Sequence, residues 1–297
     1  MPDTTTLTTR PARSLSPSRA QDFQSCPLLY RFRVLDRLPE PPSPAAVRGT
    51  LVHAVLEALY DLPAPRRTLD EAIGLLAPQW ERIAAERPEV VGMLAEADTD
   101  HGSWLRDAGD LVEAYFTMED PRRLEPAARE LRVEVELASG LVLRGFVDRL
   151  DQASTGALRV VDYKTGRPPG PGYEARAMFQ MRFYALALWR LRGEVPRLLQ
   201  LMYLATGVTL RYEPDEADLR AMERKIEALS AAIQRAVTTG DWRARPSPLC
   251  QWCAHQALCP AWGGTPPPLP EPSLPGSTLP PPPEPDPAVE MRAGADE

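Results

Sequence analysis

In the first part of the chain, apolar residues recur at the spacing of amphipathic helices. Residues 19–30 follow the Ser16-Pro17-Ser18 start signal, 47–62 follow a proline-rich stretch at 39–44, and 69–87 and 104–119 are two further helices. The period then changes to two. Leu131-Arg-Val-Glu-Val-Glu-Leu137 alternates strictly, and 141–151 and 157–165 are the next two strand candidates. Residues 173–192 return to the helical period, 198–206 is an apolar strand with 208–212 behind it, and 215–238 is an amphipathic helix. Helices, three strands, a helix, one or two strands and a helix predict an α/β fold. Its small mixed β-sheet is flanked by helices, and a helical region precedes it at the N-terminus.

Composition sets the borders of that domain. Residues 1–14 read as a flexible arm and 15–262 as the folded domain. The tail, 263–297, is proline-rich and acidic and is expected to be disordered, because it has too little apolar surface to offset its ordering entropy. Pro280–Pro283 lies inside that tail as a polyproline candidate. The net charge of −7 falls mostly there, so the body is near neutral and a local basic patch is compatible with it. Apolar runs are too short for a spanning helix, which speaks against a membrane. Met1 to Ser18 is polar and lacks the apolar segment of a secretion signal, so the expectation is cytoplasmic.

Lysine usage singles out one stretch. Of 34 basic residues only Lys164 and Lys225 are lysines, and Lys164 stands two residues after Asp162. Arginine cannot stand in for a compact ammonium that approaches a reacting phosphate or water. Gln152-Ala-Ser-Thr-Gly156 is turn-like, and a hairpin centred there pairs positions whose numbers sum to about 310. Asp148 and Asp162 meet that sum, so the register sets two carboxylates side by side, with Lys164 on the face of Asp162. Bare carboxylates about 5 Å apart repel by roughly 3 kcal/mol at an effective dielectric near 20, and a divalent cation removes that cost. An exposed hairpin with scattered charges is the competing reading. The apolar flanks Phe146, Val147, Val160 and Val161 weigh against it.

Two helices carry weaker signals. His53 sits mid-helix with Glu57 on its face at i+4, and a neutral imidazole ligates Mn2+ or sits beside Mg2+. A lone helix histidine is also an ordinary structural residue. Gln180 and Tyr184 share a helix face just after the lysine strand. In order, these motifs are Gly49-x3-His53, Gly145-Phe-Val-Asp148-Arg149-Leu-Asp151, Asp162-Tyr163-Lys164-Thr-Gly166 and Gln180-x3-Tyr184. Together they resemble the series of the RecB-type PD-(D/E)XK nucleases, across about residues 15–260. The resemblance implies a restriction-endonuclease-like core and a Mg2+ or Mn2+ site made by His53, Asp148, Asp162 and the carbonyl of Tyr163. It implies that Lys164 activates the attacking water, and that Gln180 and Tyr184 contact the DNA backbone or support the site. Asp162 departs from the superfamily's frequent Glu, a variation common among RecB-type members. The expected activity is a DNA exonuclease of repair or recombination, acting on single strands or duplex ends.

Cysteine spacing adds a second centre. Cys26 stands alone, and Cys250-x2-Cys253-x5-Cys259 lies far downstream. Four thiolates suit zinc or an iron–sulfur cluster, and His255 could replace one thiolate on zinc. The asymmetric spacing, with proline after Cys26 and Cys259, resembles the iron–sulfur nucleases of the AddB type and related CRISPR-associated exonucleases. That resemblance implies a structural 4Fe-4S cluster held by Cys26, Cys250, Cys253 and Cys259. Tyr30-Arg31-Phe32-Arg33 and Arg37 form a basic aromatic segment that suits single-strand contact, or equally a helix end with two core aromatics. No Gly-x4-Gly-Lys-Ser/Thr occurs, so any helicase would act as a partner in trans. Two other readings stay open: a non-catalytic DNA-binding subunit of a helicase–nuclease complex, and a zinc-stapled nuclease acting on RNA.

Overall fold

A computed structural model describes residues 14–97, 99–170 and 174–270. Residues 1–13 of the expected arm, Tyr173, and residues 271–297 of the tail with its polyproline run lie outside the described residues. In chain order the elements are β1 (Ser14–Leu15), α1 (Pro17–Ser25), α2 (Pro27–Tyr30), α3 (Pro44–Leu59), α4 (Leu69–Gly74), α5 (Leu76–Glu86), α6 (Glu89–Glu96) and α7 (His101–Met118). Then follow β2 (Ala128–Glu136), β3 (Val142–Gln152), β4 (Leu158–Lys164), α8 (Glu174–Arg192), β5 (Leu198–Tyr203), β6 (Val208–Tyr212) and α9 (Glu216–Thr239).

Local chemistry explains most of the borders. Ser43 caps α3 by accepting a hydrogen bond from the Ala46 N–H, with Pro44 at the first helical position. Asp100 caps α7 through the Ser103 N–H at 2.7 Å. The helix predicted over 19–30 is broken at Cys26, whose φ of −157° is extended. Proline at 27 disfavours helical backbone in the residue before it. A single turn of π-helix, Arg31–Leu35, follows α2. The helix predicted over 69–87 is two helices that meet at Leu75, after Gly74. The sequence reading did not find β1 or α6.

The described chain forms two compact units. The first comprises 41–135 and 145–223. Its core is built from buried faces of α3, α5 and α7 together with Val161, Tyr163 and Met202 of the sheet. Leu51, Val55, Leu56 and Leu59 of α3 and Val112 and Tyr115 of α7 are fully excluded from solvent. Trp104 fills the space beside them, and its indole N–H donates to the Pro44 carbonyl at 2.9 Å. The second unit comprises 14–40, 136–144 and 224–270 of the described residues. There, Phe23, Tyr30 and Trp242 pack together, with Tyr30 stacked on Trp242.

The six strands form one mixed sheet in the order β1-β3-β4-β5-β6, with β2 also on β3. β3 and β4 run antiparallel, β4 and β5 parallel, and β5 and β6 antiparallel. The parallel pair needs a long crossover, and α8 supplies it. The β3–β4 register runs Gln152↔Leu158, Asp151↔Arg159, Leu150↔Val160 and Arg149↔Val161, so the partner numbers sum to the expected 310. The hairpin closes where the Gly156 N–H donates to the Ala153 carbonyl at 2.9 Å, with Gly156 at φ +90°. Nothing lies within 4 Å of a Cβ built at Gly156, so the backbone conformation alone selects glycine. Gly156→Ala is therefore expected to lower stability by about 1 kcal/mol in urea denaturation. An unchanged midpoint would contradict a turn locked by this φ.

Candidate active site

Every residue predicted for the metal site and its lysine lies in the first unit. α3 carries His53, β3 carries Asp148, β4 carries Asp162, Tyr163 and Lys164, and α8 carries Gln180 and Tyr184. The ladder between β3 and β4 stops at Arg149↔Val161, one pair short of the two aspartates. Beyond that point the Asp148 carboxylate replaces a ladder acceptor, because the Tyr163 N–H donates to its Oδ2 at 2.8 Å. The Tyr163 carbonyl accepts from His53 Nε2 at 2.9 Å, and His53 Nδ1 lies 3.4 Å from Asp148 Oδ2. Asp148, Tyr163 and His53 therefore meet around one peptide.

Glu130, which the sequence reading missed, joins them. Ligand atoms of His53, Glu130 and Asp148 all lie within 4.8 Å of one another. They line a small cleft of about 200 Å³ shared with Glu57, Arg129 and Tyr163. Glu130 reaches the cleft from a kink in β2, where its φ is +41°. Positive φ is uncommon for a non-glycine residue, and such strain concentrates at functional sites. The alternation of charges in 128–136 gives no sign of this position.

Asp162 stands apart from that trio. Lys164 Nζ lies 2.9 Å from its Oδ2, and Lys164 also donates to Gln180 Oε1 at 2.9 Å. Gln180 Nε2 in turn donates to the Tyr184 hydroxyl at 3.1 Å. Gln180 is 6% exposed and Tyr184 1%, so both hold Lys164 from inside the protein. Burial pushes the Asp162 carboxyl up to about 6, the Lys164 ammonium opposes the rise, and Asp148 adds to it. Asp162 Oδ1 is buried and has no hydrogen-bond partner among the described residues.

The donor set fits a hard divalent cation: carboxylates, an imidazole and a carbonyl, with one orphaned carboxylate oxygen beside them. Residues 14–260 match the family model of the PD-(D/E)XK nuclease superfamily. The chain belongs to the PD-(D/E)XK nuclease superfamily. It is similar to the Gene 69 protein of Mycobacterium phage D29, at 30% identity over 63% of this chain and 72% of that one. It is also similar to the Gene 69 protein of Mycobacterium phage L5, at 25% identity over 88% of this chain and all of the phage protein. An exonuclease candidate from Eubacterium rectale shares the fold, with a TM-score of 0.50 and 12% identity over 86% of this chain and 92% of that one.

The nuclease's four cysteines are free thiols, and all fall in the second unit. All four line one pocket of about 580 Å³, with Leu28 and Phe32 in its wall. The Arg245 N–H donates to Cys26 Sγ at 3.4 Å and the Ser247 N–H to Cys250 Sγ at 3.3 Å. Gly264 turns back over this loop, where an added Cβ would lie 2.2 Å from the Ala257 carbonyl oxygen. His255 is buried, with Nε2 2.8 Å from Glu40, and Glu40 also pairs with Arg33. Of the two readings of the segment at 30–37, the structure has the helix end with two core aromatics, and Arg37 is exposed. Tyr30 and Phe32 are buried, Arg31 pairs with Asp36, and Arg33 with Asp22 and Glu40. Their charges are already matched inside the fold. Among the described residues no helix is long and apolar enough to cross a membrane.

The raised Asp162 carboxyl has a sign that can be checked. The folded chain holds this proton more tightly than the unfolded chain, whose value is near 3.8. The contribution of Asp162 to metal-free stability therefore falls as pH rises from about 4 to about 6 and changes little above that range. Asp162→Asn removes the titration. It is expected to stabilise the metal-free nuclease at pH 8 by on the order of 2 kcal/mol, a gain that shrinks toward pH 4. Thermal melts of both proteins after chelation would show it, and a gain independent of pH would contradict it.

Proposed function

We propose that the protein is a RecB-type, metal-dependent DNA exonuclease that hydrolyses phosphodiester bonds at single strands or duplex ends in repair or recombination. The observation that carries this reading is the juxtaposition of the His53–Glu130–Asp148 cleft with the Asp162–Lys164–Gln180–Tyr184 chain. His53, Asp148, Asp162 and the Tyr163 carbonyl would hold Mg2+ or Mn2+, with Glu130 as a further carboxylate. A bound divalent cation supplies Lewis acidity, acidifying water and drawing charge from a phosphate oxygen. Asp162 aims the Lys164 ammonium from one side, and Gln180 fixes it from the other. Lys164 orients the attacking water and offers positive charge to the pentacoordinate phosphate as it forms. Unwinding would fall to a separate helicase partner, because the chain carries no phosphate-binding loop of its own.

We assign the four cysteines to a structural 4Fe-4S cluster. What supports this reading is that Cys26 and the Cys250-x2-Cys253-x5-Cys259 run line one pocket. The N–H donors at Cys26 and Cys250 suit cluster thiolates, whose potential such bonds tune.

Asp148→Ala and Lys164→Ala are each expected to cut digestion of labelled single- and double-stranded DNA by at least about 100-fold, with Mg2+ or Mn2+ present. Digestion at the wild-type rate by both would end the exonuclease reading, and digestion of RNA alone would redirect it. Anaerobic purification is expected to give a brown protein with about four irons and four acid-labile sulfides per chain. A colourless protein carrying one zinc would overturn the cluster.

A further inference from the structure

We propose that Arg149 is a positioning residue that sets the geometry of the cation site from beneath it. The proposal rests on the reading of His53, Asp148 and Tyr163 as cation ligands. Arg149 is 1% exposed and follows Asp148 directly on β3. Its side chain points with that of Tyr163 into the helical side of the first unit. Nη1 lies 2.6 Å from the Tyr163 hydroxyl, 3.0 Å from that of Tyr60 and 3.3 Å from that of Tyr115. Nη2 donates to Glu119 Oε2 at 2.7 Å, and Nε is 3.1 Å from Asp151 Oδ1. The Tyr60 and Tyr115 hydroxyls are themselves 2.5 Å apart.

Tyr60, Asp151 and Tyr163, three partners of this one guanidinium, lie on or at the end of the elements that carry the ligands. Tyr60 ends the helix of His53, two turns along it. Tyr163 offers its carbonyl to His53 and its N–H to Asp148. Asp148 is the residue before Arg149. The β3–β4 ladder ends at Arg149↔Val161, so regular backbone pairing does not fix Asp148 against Tyr163. The Arg149 fork takes over where the ladder stops: it holds the Tyr163 side chain, the end of α3 and, through Glu119, the end of α7. Glu119 also pairs with Arg159 on β4, which ties the same carboxylate to the strand of Asp162. Only a planar, multi-donor cation spans these oxygens at once, so lysine cannot reproduce the geometry.

The test measures Mn2+ binding to the metal-stripped full-length protein by calorimetry, without nucleic acid, alongside thermal melts. Arg149→Lys is expected to raise the Mn2+ Kd by about 10-fold or more, in line with the loss of groups that orient metal ligands. Ile83→Ala, a buried change on α5 away from the network, is the control: it lowers Tm and leaves Kd unchanged. Where Arg149→Lys does not fold, Tyr163→Phe removes a single hydroxyl of the network and is expected to weaken Mn2+ binding several-fold. Wild-type Kd in either folded variant, with or without a loss of Tm, overturns the positioning role. Failure of the underlying metal-site reading looks different: the wild-type protein itself then binds no Mn2+, and Asp148→Ala changes nothing.

Discussion

A carboxylate sealed inside a β-sheet stays charged only when something positive faces it, and the site is organised around that constraint at Asp162. The residue is fully desolvated on a central strand, with one oxygen against the Lys164 ammonium and the other without a partner. Lys164 is held in turn by Gln180, and Gln180 by Tyr184. The tension left over, a raised carboxyl next to Asp148, is what a cation would relieve. The polar groups of β4 and α8 thus form a chain in which each member limits the freedom of the next.

Strand termination supplies the second half of the design. A complete ladder would have satisfied the Tyr163 N–H with a backbone carbonyl. Its early end hands that N–H to the Asp148 side chain and frees the Tyr163 carbonyl for His53. His53, Asp148 and the Tyr163 carbonyl therefore meet where the backbone has left its regular partners. A framework independent of the ladder must hold such backbone, and the tyrosine–arginine cluster beneath it is well placed to do so.

The parts legible in the sequence were those that short-range chemistry fixes. A polar turn with glycine at 156, between two runs of alternating apolar residues, gave the β3–β4 register because side-chain alternation and turn length leave few choices. Asp162, Lys164 and Gln180 then fell into line from strand and helix periodicity. Glu130 was not legible, because its approach needs a kink at φ +41° that no local signal announces. Arg149 was visible only as a letter in a motif. Burying an arginine depends on Tyr60, Tyr115 and Glu119 arriving from helices far away in sequence. The aromatic segment at 30–33 stayed open between two readings for a related reason. Exposed and buried aromatics look alike in sequence, and the acids that neutralise Arg31 and Arg33 are recognisable only in three dimensions.

The near-absence of lysine from this chain has a practical consequence. Amine-reactive reagents are usually too unselective to report on one position, since most proteins present many amines. Here Lys164 competes only with Lys225 and the chain terminus. Its side chain is 19% accessible and pinned between Asp162 and Gln180. Acylation rate at this one nitrogen becomes a direct gauge of how tightly the pocket grips it. Occupancy of the cleft by a cation or by a strand of nucleic acid can then be followed on the unmodified protein by mass spectrometry, with no probe introduced.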